Sequence, residues 1–138
     1  MYGGDDKAIL REALSDLEHC RKAGADVIVL ENSHDLPYVK PPLDPRGVAV
    51  MRRVAREVRR RFDGPVGIQM LEAANETALD IASQAGLDFV RVEGFVFAHV
   101  GGAGLIEGCA GRLLRRRREL GCDHIRIFGD VKKKQIGR

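Results

Sequence analysis

The chain has 138 residues, 44% of them hydrophobic and 31% charged, with a formal net charge of +3. That length suits one compact domain over residues 1–138, and that balance excludes intrinsic disorder and fibrous repeats. No apolar run approaches the roughly 18 residues needed to cross a bilayer, and the opening Met1-Tyr2-Gly3-Gly4-Asp5-Asp6 lacks the regions of a signal peptide, so a soluble, intracellular, cytoplasmic protein is expected.

In chain order, Leu10, Ala13, Leu14, Leu17 and Cys20 recur at helical spacing, and the apolar run Val27 to Leu30 follows. A second helical stripe comprises Val48, Met51, Val54, Ala55, Val58 and Phe62, and Val66 to Met70 reads as the next strand. Ala78, Ile81, Ala82 and Ala85 form a third stripe, with Asn75 as its expected N-cap, ahead of a strand over Phe89 to Val92. Ile106, Cys109, Ala110, Leu113, Leu114 and Leu120 form a fourth, expected to open near Leu105, ahead of Ile125 to Phe128.

Gly24-Ala25-Asp26, Gly86-Leu87-Asp88 and Gly121-Cys122-Asp123 each separate a helix from a strand, because Gly accepts the left-handed cap that ends a helix. Asp63-Gly64-Pro65 does the same with a proline that cannot continue the helix. The strand runs are continuous rather than alternating, as expected of parallel strands with both faces covered. The order α-β-α-β-α-β-α-β therefore implies a parallel sheet with right-handed crossovers.

A doubly wound sheet and a barrel both fit this order. Polar residues gather after every strand: Glu31 and Asn32, then Gln69 and Glu72, then Arg91 and Glu93, then Asp130. Charge delivered to one edge by each strand suits a (β/α)8 barrel, whose site lies at the C-terminal ends of its strands. A full barrel takes about 250 residues, so a partial TIM barrel is expected.

Cys20, Cys109 and Cys122 lie far apart and outside any Cys-x-x-Cys spacing, which reads as buried, reduced thiols rather than a disulfide framework or a zinc site. Arginines cluster between Arg52 and Arg61 and between Arg112 and Arg118. They suit the solvated outer faces of helices, with attraction to a polyanion as the sharper alternative, and no nucleic-acid partner is expected.

Five segments carry a family resemblance: Glu31-Asn32-Ser33-His34-Asp35-Leu36-Pro37-Tyr38, Pro65-Val66-Gly67-Ile68-Gln69-Met70-Leu71, Phe89-Val90-Arg91-Val92-Glu93, Gly104-Leu105-Ile106-Glu107-Gly108 and Gly129-Asp130-Val131-Lys132-Lys133-Lys134. In this order they resemble the BtpA/SgcQ family, which has a ribulose-phosphate-binding-like barrel. The resemblance implies that the four strands are the second to fifth of that barrel, with the first strand and the later β/α units outside the chain. The phosphate site common after the seventh and eighth strands would then be absent. The family's Lys-His pair stands here as Lys134-Gln135. The founding member is implicated in photosystem I assembly at the thylakoid surface, and the resemblance supplies no reaction.

Glu31, His34 and Asp35 lie within five positions at a strand end and are candidates for acid-base work or for a divalent metal, against a reading in which they only close the loop. Arg91 and Glu93 alternate onto one side of their strand, as an anion clamp and a proton-transfer group or as a structural ion pair. Gly101, Gly102 and Gly104 form a turn whose amides suit a phosphate, with an ordinary loop as the plainer reading and His99 beside it as a loop residue. Asp130 is a candidate base or metal ligand, and Lys134 a candidate phosphate contact or Schiff-base former beside two further lysines. Asn32 and Gln69 complete the expected substrate contacts.

Two functions fit. One is an enzyme-like barrel acting on a small anionic or phosphorylated metabolite. The other is a noncatalytic assembly factor with peripheral membrane contact through its arginines. A half-barrel exposes sheet edges and an apolar inner face, so self-association, or an inactive truncated product, is also expected.

Overall fold

In the computed structural model, which describes residues 4–131, the elements run α1 (Asp6–Lys22), β1 (Ile28–Glu31), α2 (Pro45–Arg59), β2 (Val66–Gln69), α3 (Asn75–Ala85), β3 (Phe89–Val92), β4 (His99–Gly101), β5 (Gly104–Ile106), α4 (Ala110–Glu119) and β6 (Arg126–Gly129). Helix α1 begins where Asp5 accepts from the backbone N–H groups of Lys7 and Ala8. Helix α2 begins where Asp44 accepts from Arg46 ahead of Pro45 in the first turn. In both, a carboxylate satisfies donors that the first turn leaves unbonded.

The four strands β1-β2-β3-β6 lie side by side, all parallel, in the order in which they occur in the chain. Helices α1, α2, α3 and α4 pack in a row, each against the next. An order that never reverses, joined by right-handed crossovers, puts every connecting helix on the same face of the sheet. The core lies between these two layers. Val54 and Val58 of α2, Ala78, Leu79 and Ala82 of α3 and Leu113 of α4 meet Val66, Ile68, Val90, Val92 and Ile125 there, all of them buried.

The other sheet face carries Glu31, Gln69, Arg91 and Phe128 in one register layer, with Val29, Gly67, Phe89 and Arg126 in the layer before it. This face has no helix over it among the described residues. Val29 stays 44% exposed and Phe128 51% exposed, while Phe89 is shielded by a T-shaped contact with Phe128 and by lying against Gly67, where a Cβ would meet its ring. The expectation of strands covered on both faces therefore holds for β2, whose inner-face residues Gly67 and Gln69 are buried, and fails at the inner face of the outer strands β1 and β6.

Several sequence expectations need correction. Residues His99 to Ile106 form an antiparallel β4–β5 hairpin, and α4 starts at Ala110 instead of near Leu105. Gly104, at φ 93°, supplies the left-handed backbone that this tight turn requires. Asn75 is not a cap: Ala74 holds that position without a side-chain bond, and Asn75 turns inward. Cys20 is exposed, whereas Cys109 and Cys122 are buried, and all three are free thiols. Two arginines leave the solvated faces. Arg59 donates to Asp88 and to the carbonyls of Phe62 and Gly64, and Arg117 donates to the carbonyl of Ile125. No helix among the described residues is long and apolar enough to cross a membrane.

Leu79, fully buried between α3 and the sheet, tests this packing. Leu79→Ala is expected to lower the unfolding free energy by about 2–5 kcal/mol in urea titrations followed by circular dichroism. A change under about 0.5 kcal/mol, the range of ordinary surface substitutions, would place Leu79 outside the core.

Candidate functional site at the C-terminal ends of the strands

Parallel strands entering in one direction deliver their last residues to a single edge. Arg91, near the end of β3, spans that edge. Its Nη1 donates to Glu31 Oε1 of β1 at 2.9 Å, and its Nε and Nη2 donate to Asp130 Oδ1 and Oδ2, just past β6, at 3.0 and 3.4 Å. Hydrogen bonding to Asp130, reinforced by the charges of Asp130 and Glu31, raises the Arg91 pKa above its ordinary value, so the guanidinium is permanently charged. Its side chain is 43% exposed, and these bonds use three of its five N–H donors, leaving two for a ligand.

Gln69 occupies the register layer of Glu31 and Arg91. It is buried, and its Oε1 has no hydrogen-bond partner, an unspent acceptor beside the ion pairs. Ser33 donates to Glu31 Oε2 at 3.4 Å. A cavity of about 420 Å³ adjoins Asp130, bounded by the turn of Gly94, Phe95 and Val96, by His99 and by Val131. The Nε2 atom of His99 is buried and unpartnered.

A second polar group fixes the loops of this edge. The segment Leu71 to Ala74 after β2 includes Ala73 at φ 55°, a conformation disfavoured for a residue with a Cβ. Four contacts hold it. Asn32 accepts from Leu71 N at 2.7 Å and donates to Leu71 O at 3.1 Å, Glu72 N donates to Val39 O, and Ala73 N donates to Glu93 Oε2 at 2.6 Å. Asn75 completes the frame by donating to Glu93 O at 2.7 Å and accepting from Glu93 N at 3.2 Å, while also meeting Cys109 Sγ at 3.2 Å.

The Gly101-Gly102-Ala103-Gly104 turn, expected to suit a phosphate, holds a carboxylate of the protein itself. Gly102 N and Ala103 N donate to Glu72 Oε1 and Oε2 at 3.1 and 2.6 Å. A Cβ on Gly101 would strike the same carboxylate, so this glycine is needed for its close approach. These amides are taken by the protein's own Glu72, which leaves the turn closed to the phosphate that its glycines suggested.

The structure thus brings Glu31, Gln69, Arg91 and Asp130 together. It commits the Asn32 amide to Leu71 and places Glu93, fully buried, as an anchor of the Ala73 turn. His34 and Asp35 sit in the loop after β1, His34 exposed and Asp35 half-buried facing the first turn of α2 near Gly47. Lys134 lies outside the described residues. No group of three His, Cys, Asp or Glu side chains among the described residues is placed to hold a metal ion, so the Glu31, His34 and Asp35 set does not form a ligand cage. Glu72 and Asn75 are contributors whose roles the sequence did not disclose. The only signal was a polar run following an apolar strand.

Comparison with known proteins places these features in a family. The BtpA family model matches residues 1–137, and the chain belongs to that family. It is 44% identical over 132 residues to an uncharacterised mitochondrial protein of Caenorhabditis elegans, covering 92% of this chain and 48% of that one. It is 36% identical over 130 residues to the photosystem I biogenesis protein BtpA of Synechocystis, covering 94% and 45%. An uncharacterised protein of Archaeoglobus fulgidus is 35% identical over 127 residues, covering 92% and 51%. The chain spans about half the length of these curated relatives, and no solved structure matches it.

Two measurements test the frame. Asn75→Ala leaves both backbone groups of Glu93 without their partner and is expected to destabilise the fold by about 1–3 kcal/mol, whereas an unchanged denaturation midpoint would deny Asn75 this role. Burial raises the Cys109 pKa, so its thiolate is scarce near pH 8. Alkylation of the native chain at that pH should label Cys20 alone, and mass spectrometry showing Cys109 labelled at the same rate would contradict its burial.

Proposed function

We propose that this BtpA-family chain supplies four consecutive β/α units of a (β/α)8 barrel, and that its C-terminal edge acts on a small anionic or phosphorylated metabolite. The barrel reading is supported by the unreversed strand order, the single row of helices and an inner face with no helix over it among the described residues. The ligand reading rests on one observation above all: Arg91 bridges the ends of three strands with two N–H donors to spare, beside a cavity that shares Asp130.

In this reading the anion meets Arg91 at its free N–H groups. Glu31 and Asp130, already oriented by the guanidinium, flank the bound molecule as candidate proton donor and acceptor. The Gln69 acceptor suits a ligand hydroxyl, because a buried acceptor left unpaired gains from any donor brought to it. Glu93, enclosed by Ala73 and Asn75, positions the edge rather than touching the ligand.

A second reading, an assembly factor at a membrane surface, draws on the name of the Synechocystis relative. The arginines that would serve it are in part committed to acids: Arg59 to Asp88, Arg60 and Arg61 to Glu57, and Arg116 to Asp80. Such pairing lowers the charge available to anionic lipid.

Thermal midpoints measured against a panel of sugar phosphates, dicarboxylates and divalent metals test the proposal. A ligand at 100 times its Kd stabilises the folded state by about 2.7 kcal/mol. Arg91→Gln should abolish the shift and Arg91→Lys should retain only part of it, because lysine keeps the charge but loses the planar fork. A shift of the same size in Arg91→Gln would refute Arg91 as the anion contact. Binding to anionic vesicles that disappears when Arg115 to Arg118 are neutralised, with no ligand shift at all, would move the assignment to the second reading.

A further inference from the structure

The turn after β3 is fixed by the start of α4. The carbonyl of Gly94 accepts from Cys109 N at 3.0 Å, and that of Phe95 accepts from Cys109 N and Ala110 N at 3.1 and 2.7 Å. Cys109 caps α4 and Ala110 opens it, so these N–H groups have no partner inside the helix. Glycines let the segments meet closely. A Cβ on Gly108 would strike the Val96 carbonyl, and one on Gly129 would crowd Phe95. The stretch from Gly94 to Ala98 is therefore held in place without help from a ligand, which lowers the cost of binding one.

This stretch forms one wall of the cavity of about 420 Å³ beside Asp130, a size within the roughly 300–1,000 Å³ of small-molecule sites. Its lining is apolar or glycine apart from His99 and Asp130, the two ionisable side chains that border it. Val96 and Phe97 stand 61% and 83% exposed at this wall, and apolar side chains gathered at a concavity mark a binding site. His99 lies at the base of the β4–β5 hairpin, opposite Ile106, and Glu72 clamps the hairpin's turn. The His99 Nε2 atom is shielded from solvent and has no hydrogen-bond partner, a condition that few buried polar atoms share. Asp130 both borders the cavity and accepts from Arg91, so the cavity and the guanidinium lie one side chain apart.

We infer that the cavity holds the apolar, ring-sized body of a ligand whose anionic group sits on Arg91, and that His99 Nε2 hydrogen-bonds a polar group carried by that body. The inference rests on the Arg91 reading and narrows it to an aromatic phosphate or carboxylate. A bare sugar phosphate fits less well, because hydroxyls set against Phe95, Val96 and Phe97 would lose water and find no partner there. An aromatic ring loses nothing by that contact, and a single hydroxyl or ring nitrogen suits the one unpartnered imidazole atom.

Isothermal titration of the full chain with glycerol phosphate, phenyl phosphate and 4-hydroxyphenyl phosphate tests it. Phenyl phosphate is expected to bind about tenfold more tightly than glycerol phosphate through partial burial of its ring, with a more negative heat-capacity change. The 4-hydroxy compound is expected to gain about fivefold more from one hydrogen bond to His99. Phe97→Ala, at a side chain too exposed to matter for folding, should remove most of the tenfold gain and leave glycerol phosphate unchanged. His99→Leu, with circular dichroism unchanged, should remove the fivefold gain alone. Equal binding of the glycerol and phenyl compounds, both lost in Arg91→Gln, overturns the cavity as a site while the Arg91 reading stands. Phenyl phosphate that binds Arg91→Gln as tightly as the unaltered chain overturns the link between the cavity and Arg91, and a 4-hydroxy gain that survives His99→Leu overturns the part given to His99. Binding of none of the three, when another anion raises the thermal midpoint through Arg91, overturns this inference alone; no response to any anion overturns both.

Discussion

A parallel sheet wound in one direction can be covered by its own connections on one face only. Each right-handed crossover returns the chain to the same side, so α1 to α4 stack in a row and Glu31, Gln69, Arg91 and Phe128 stand on the other face, with no helix above them among the described residues. The lack of a helix over the inner face among the described residues and the gathering of charge at one end both follow from that winding. An open doubly wound sheet would have covered both faces and confined its ligand groups to one switch point.

Charge on the inner face is tolerable because it is shared. A lone carboxylate at a strand end, flanked by apolar neighbours such as Phe128, would lose part of its hydration. The Arg91 fork returns that stabilisation to Glu31 and Asp130 together, and because the network remains partly exposed, solvent screens it and holds its net contribution low.

Beneath this layer the loops are held by carboxylates bound to backbone amides. Glu72 sits on the hairpin turn of Gly102 and Ala103, Glu93 on the turn at Ala73, and Asp5 and Asp44 on helix starts. Each carboxylate oxygen accepts from a backbone N–H that the turn or the helix start leaves without a backbone partner. Such bonds over-determine a backbone that is locally unfavourable at Ala73, which is the condition under which a strained turn persists.

The sequence by itself determined the alternation of four helices with four parallel strands, those strands to within a residue, and the residues that reach the C-terminal edge. Those features depend on local periodicity, on glycine caps and on the alternation of strand side chains, all of which are written in neighbouring positions. What only the tertiary structure decided was pairing across distance. Arg91 meets residues 60 and 39 positions away, Asn75 turns from a helix start to the backbone of Glu93, and Glu72 takes the amides expected to suit a phosphate. The β4–β5 hairpin hid inside an apolar pattern that also fits the start of a helix. Polar partners are chosen by direction and distance in the folded chain, which spacing along the sequence does not encode, so residue types could mark the edge while the fold alone assigned their roles.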